Sequence, residues 1–144
     1  ADVGCFQLEA DSTAVPRIFR EDVPGVPGAF VLHGLLSPKE CRDIIDLTEE
    51  FGYAEGAPAA QTRHIRQNEI CFWLVDEGLC QALFCRCAEL FPQEVAGCRP
   101  CGLNARWRLY KYGPSDFFKP HLDGSWPGSG LDEDGLLVRD RYGD

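Results

Sequence analysis

Residues Ala105–Asp123 read ARWRLYKYGPSDFFKPHLD, and the alternation inside this stretch decides how the chain is read. From Ala105 to Tyr112, Ala105, Trp107 and Leu109 fall on one side and Arg106, Arg108, Tyr110 and Tyr112 on the other, the period of a half-buried strand. Gly113-Pro114-Ser115-Asp116 carries turn chemistry, with glycine and proline supplying the backbone angles and Ser and Asp the local hydrogen bonds. A second strand follows, with Phe117, Lys119, His121 and Asp123 on one face and Phe118, Pro120 and Leu122 on the other. Pro120 has no N–H to give to a ladder, which places this strand at a sheet edge or beside a bulge.

His121 and Asp123 are two apart on that strand, so they point to the same side and can reach one metal ion from adjacent corners. A facial triad sets two histidines and one carboxylate on one side of Fe(II), and His121-Leu122-Asp123 supplies two of those three ligands. An isolated H-x-D is weak evidence, because any surface strand can carry two solvated polar side chains.

The surroundings add specificity. Tyr112, Gly113, Phe117, Pro120, His121, Asp123, Gly124 and Ser125 together resemble the 2-oxoglutarate- and iron(II)-dependent dioxygenases of the prolyl 4-hydroxylase type. The resemblance extends upstream to about Phe30, with Val31 to Tyr53 similar to the family's leading strand and helix, and Arg66-Gln67-Asn68-Glu69 similar to its next support segment. It implies that His121 and Asp123 are iron ligands, that Tyr112 hydrogen-bonds a carboxylate of 2-oxoglutarate, and that ascorbate is a compatible auxiliary reductant. It also implies an α+β fold, a partial double-stranded β-helix of jelly-roll type with supporting N-terminal helices, whose C-terminal core strands are absent from this chain. The implied reaction is hydroxylation of a peptidyl substrate, prolyl included, or of a small molecule. The family places a second histidine and a basic residue after the H-x-D; none of the 21 residues that follow Asp123 is histidine. His33 and His64 lie upstream, where a lone histidine is more often packed or solvated than a ligand.

This departure keeps a second reading open: a catalytically inactive scaffold of the same type, without metal or cofactor, serving as a structural or interaction subunit of a larger assembly. Neighbouring subunits would then cover unpaired strand edges.

The 144 residues suffice for a domain with its own core. Residues 1–28 read as an irregular arm that ends in Val23-Pro24-Gly25-Val26-Pro27-Gly28, and residues 29–144 as the N-terminal part of the oxygenase domain. The net charge of −9 repels a nucleic-acid backbone, so nucleic acid is not expected as a partner. No apolar run approaches the roughly 20 residues that span a bilayer. The sequence does not open on Met, so Ala1 is read as other than a translation start, which fits a processed organellar or secretory protein. No compartment is assigned.

Upstream, Ala29 to Leu32 reads as a short strand. Ser37-Pro38-Lys39-Glu40 then carries an N-cap, a proline at the first helical position and the glutamate of a capping box. Cys41, Ile44, Ile45, Thr48 and Phe51 form the apolar stripe of the helix, and Gly52 ends it. Tyr53 to Arg63 reads as a surface loop, with Arg63, His64 and Arg66 as a basic patch that steers substrate or is simply solvated. Glu69 to Val75 reads as a strand buried on both faces, and Asp76 as the cap of a second helix in which Leu79, Leu83, Cys87 and Leu90 share a face. Gly124 to Gly135 reads as an acidic loop over the site, and Leu136-Leu137-Val138 as the start of a strand. Trp107 and Phe117 are candidates for apolar walls of the site, although aromatics on strands are more often core.

Of the eight cysteines, Cys41, Cys71, Cys80 and Cys87 fall on apolar faces and read as core. Cys85, Cys87, Cys98 and Cys101 have a superficial zinc spacing, but residues two apart on a helix point about 200° apart, which disfavours a shared metal. Cys98 and Cys101 are also candidates for a disulfide with each other or with Cys85.

Overall fold

The computed structural model describes residues 6–9, 17–55, 64–122 and 128–138. Asp123, Gly124 and Ser125, which carry part of the family resemblance, lie outside the described residues, as do Cys5 and Arg63. In chain order the elements are β1 (Phe19–Asp22), β2 (Phe30–His33), α1 (Pro38–Phe51), β3 (Ala54–Glu55), β4 (Arg66–Gln67) and β5 (Glu69–Leu74). They continue with α2 (Glu77–Cys87), a 3-10 turn (Ala88–Leu90), β6 (Arg106–Lys111), β7 (Phe117–Phe118), β8 (Gly130–Leu131) and β9 (Leu137–Val138). The fold is α+β, and among the described residues every sheet is small and antiparallel, with no closed barrel. No helix among them is long and apolar enough to cross a membrane.

The chain divides into two compact units, Ala1–Ile44 with Gly78–Leu103, and Ile45–Glu77 with Asn104–Asp144. In the first unit, residues expected to belong to an irregular arm form β1, which pairs antiparallel with β2 from Phe19 opposite His33 to Asp22 opposite Phe30. Two successive Val-Pro-Gly turns make this hairpin. Val26 N–H donates to the Val23 carbonyl at 3.2 Å and Ala29 N–H to the Val26 carbonyl at 3.1 Å, with Gly25 and Gly28 at φ of 76° and 81°. Proline presets the first central angle of each turn and glycine accepts the positive second one, as type II turns require.

The capping box at the start of α1 is realised in full: Glu40 N–H donates to Ser37 Oγ at 3.1 Å, and Ser37 N–H donates to Glu40 Oε2 at 2.8 Å. Gly52, at φ 84°, ends the helix as expected. The buried face meets the expected stripe at Ile44 and Thr48 and departs from it elsewhere. Glu40, Ile44, Leu47 and Thr48 are buried, whereas Cys41 and Ile45 are exposed. Glu40 turns inward because Arg86 of α2 meets it with both terminal nitrogens, at 2.7 and 2.9 Å. Leu79, Cys80, Leu83 and Cys87 are the buried residues of α2.

In the second unit, β3, β5 and β6 form a three-stranded sheet with β5 in the centre. β5 and β6 pair over their whole length, from Glu69 opposite Lys111 to Leu74 opposite Arg106. One face carries a cross-strand Trp73–Trp107 pair, with ring centroids 5.4 Å apart and planes at 74°, and Phe51 sits edge-on to Trp73 at 5.8 Å. Edge-to-face pairs of this kind contribute about 0.5–1.5 kcal/mol beyond the area they bury. Trp107 thus packs against Trp73, and both are half-buried. β5 is not buried on both faces: Phe72 and Leu74 are exposed on the face where the Arg106 guanidinium lies over the Phe72 ring at 4.5 Å.

Two further segments of this unit pair as strands where loops are expected. Ala54–Glu55, expected in a loop, is a short edge strand on β5. Gly130–Leu131, expected in the acidic loop, pairs with β9, and Asp132 Oδ1 accepts N–H groups of Asp134 and Leu136 to close that hairpin.

Candidate functional site

β6 leads into the Gly113–Asp116 turn, and the turn is built as its composition predicts. Asp116 N–H donates to the Gly113 carbonyl at 3.1 Å, and Gly113 N–H donates to Asp116 Oδ2 at 2.8 Å. Gln67 Nε2 donates to Asp116 Oδ1 at 3.1 Å, which ties the turn to β4. The chain then returns as β7, pairing Phe118 with Arg66 and Phe117 with Gln67, and Lys119 N–H donates to the Ile65 carbonyl at 2.9 Å.

The strand expected to run on to Asp123 stops at Phe118, so the alternation of faces stops with it. His121 accordingly lies on the ring of Phe118, which the alternation assigned to the opposite face; the ring centroids are 4.1 Å apart and the planes 29° apart. Phe117 lies under the Lys119 ammonium, 5.0 Å from the ring centroid.

His121 is exposed, and its Nδ1 is 3.0 Å from the Lys119 carbonyl. A carbonyl only accepts, so the neutral imidazole carries its proton on Nδ1 and its lone pair on Nε2. A ring held by Nδ1–H on a backbone carbonyl is the usual arrangement for an Nε2 metal ligand, and His121 fits that role. Tyr112, the residue implied for 2-oxoglutarate, directly follows β6 and is 44% exposed, which leaves its side chain accessible to a ligand. No group of three or more His, Cys, Asp or Glu side chains capable of holding a metal occurs among the described residues, which do not include Asp123.

The basic patch contains the residue that periodicity undervalued. Arg66 lies on β4, where its guanidinium is 3.9 Å from the Phe118 ring centroid and 4.6 Å from that of Tyr110. Planar guanidinium stacks on aromatic faces, so the patch is partly an ordered stack. His64 is exposed in a turn. Asn68, between β4 and β5, is buried; its amide donates to the Glu69 carbonyl at 2.9 Å, while its Oδ1 has no partner among the described residues. An unmet buried acceptor costs about 1–3 kcal/mol.

His33 is a packed surface histidine, stacked on Phe19 at 4.5 Å with Nε2 2.7 Å from Glu21 Oε2. The seven described cysteines are free thiols. Cys71, Cys80 and Cys87 are buried as expected, Cys41 is exposed, and on α2 Cys85 is exposed while Cys87 is buried. Burial pushes the Cys71 thiol above its usual pKa, and burial followed by the nearby Cys85 does the same to Cys87.

No protein-family model, curated protein or solved structure matches the chain. The functional reading therefore rests on its residues and their geometry.

Proposed function

We propose that the chain is part of an Fe(II)- and 2-oxoglutarate-dependent dioxygenase of the prolyl 4-hydroxylase type, acting on a peptidyl or small-molecule C–H bond. On this reading the small antiparallel sheets are the entrance of a double-stranded β-helix. His121 and Asp123 hold the metal, and the Tyr112 hydroxyl donates to a carboxylate of 2-oxoglutarate. The observation that carries the proposal is the presentation of His121: exposed, seated on Phe118, and tied through Nδ1 to the Lys119 carbonyl so that Nε2 bears the lone pair. The bound metal and 2-oxoglutarate supply oxygen activation coupled to decarboxylation, and the protein's part is binding, orientation and exclusion of water.

The test is succinate release with Fe(II), 2-oxoglutarate and ascorbate. His121→Ala and Asp123→Ala are expected to fall to the level of a metal-free control. Tyr112→Phe, which loses one hydrogen bond to a charged group, is expected to raise KM for 2-oxoglutarate about tenfold or more. Equal release from the native chain and His121→Ala removes His121 from the mechanism.

A second reading, an inactive scaffold docked in a larger assembly, is favoured by one observation: Phe72 and Leu74 are exposed side by side on β5, and Leu122 is 98% exposed. A monodisperse, cooperatively melting monomer counts against it.

A further inference from the structure

We propose that Arg66 is a positioning residue for His121, acting through the ring of Phe118; the inference rests on His121 being a metal ligand. β7 is only two residues long, and its pairing with β4 ends at the bond from Lys119 N–H to the Ile65 carbonyl, two residues before His121. The register of β4 with β7 gives the imidazole a support of its own. Arg66 and Phe118 are directly opposed, and opposed residues of an antiparallel pair project from the same face. The guanidinium is 3.9 Å from the Phe118 centroid, and the imidazole is 4.1 Å from the same centroid. One ring face has room for only one planar group at such a separation, so guanidinium and imidazole take opposite faces of Phe118.

Tyr110 completes the stack. Its ring is 4.6 Å from the guanidinium, and it sits on β6 opposite Ile70 of β5, in the best-paired part of this unit. The order is thus Tyr110, Arg66, Phe118, His121, running from a six-residue strand out to the proposed ligand. The Lys119 carbonyl fixes the rotation of the imidazole about its own axis, and the stack fixes the plane in which it lies. Lysine cannot replace Arg66 here, because an ammonium has no planar face to lay between two rings. Groups that orient a metal ligand without touching the metal typically change metal affinity by about 10–100-fold when removed.

The experiment reads the stack and the metal separately, on the whole chain. Without metal, the His121 ring protons are shielded by Phe118 and resonate upfield. Arg66→Leu is expected to erase most of that displacement, and Arg66→Lys to do so in large part. Titration with Co(II) alone, followed by paramagnetic shifts of the same protons, is then expected to show affinity reduced by about tenfold or more in both variants. Phe118→Leu, which keeps Arg66, is expected to match them, and amide spectra like those of the native chain show that each variant is folded. If both arginine variants keep the native ring shift and Co(II) affinity, or if none of the three variants yields native-like amide spectra, the inference is overturned. If the native chain binds Co(II) no better than His121→Ala, the metal-ligand reading fails and the inference falls with it, whatever the ring shift shows.

Discussion

Replacing Glu40 with Gln is the perturbation whose outcome the structure defines most sharply. The Glu40 side chain is fully buried, and its carboxylate accepts four hydrogen bonds. They come from Glu9 N–H at 2.8 Å, Ser37 N–H at 2.8 Å, and Arg86 Nη2 and Nη1 at 2.7 and 2.9 Å. Burial by itself raises the carboxyl pKa. The Arg86 hydrogen bonds, the two backbone N–H groups and the Arg86 charge together outweigh it and bring the pKa from its usual 4.5 down to about 2. At about 1.4 kcal/mol per pH unit, that difference corresponds to about 3 kcal/mol of folding stability. The sign follows from the depressed value. The contribution is fully present above pH 4.5 and is lost as pH falls towards about 2, where the folded protein also takes up the proton.

Glutamine keeps the size of the side chain, but it loses the charge and turns an N–H2 group towards the Arg86 donors. Breaking a buried pair from one side costs about 3–5 kcal/mol, in accord with the titration argument. Urea unfolding followed by far-UV circular dichroism should therefore show Glu40→Gln less stable than the native chain by about 3 kcal/mol at pH 7. The gap should close on acidification to about pH 2. A gap that stays constant from pH 7 to pH 2, or no gap at pH 7, refutes the reasoning.

Two further outcomes test the packing. With iodoacetamide at neutral pH, peptide mass spectrometry should find Cys41, Cys85, Cys98 and Cys101 labelled early and Cys71, Cys80 and Cys87 late; equal rates for Cys71 and Cys98 refute the assignment. Trp73→Ala removes both the Trp107 and the Phe51 contact and should cost about 2–3 kcal/mol, whereas Phe72→Ala, half-exposed on the other face, should cost less than about 1 kcal/mol. Reversal of that order in urea unfolding puts the sheet the other way round.

How much of this was legible in advance depended on the range of the interactions. The start of α1 is written within four residues, Ser37 to Glu40, and its end in Gly52; the turn after β6 is written in Gly113–Asp116. In each the hydrogen-bonding partners are a few positions apart, so composition alone suffices. β6 and the trace of β5 were legible from their apolar and aromatic residues, because side-chain period follows directly from backbone geometry. β1 was not legible. Phe19-Arg20-Glu21-Asp22 has no alternation, and it becomes a strand only because the double turn folds β2 back along it.

The candidate site divides in the same way. That His121 belongs to a ligand-like H-x-D motif, with Tyr112 before it and a tight turn between, is a property of the sequence, since spacing and residue chemistry are covalent facts. The buried face of α1 was decided by Arg86, 46 residues from Glu40, and the seat of His121 by Arg66, opposite Phe118 across a two-residue ladder. Periodicity ranks a residue by its own polarity and cannot register a partner brought from elsewhere in the chain. It therefore read Glu40 only as the local partner of Ser37 and Arg66 only as part of a basic patch, where tertiary pairing made one the anchor of a helix and the other a layer in an aromatic stack.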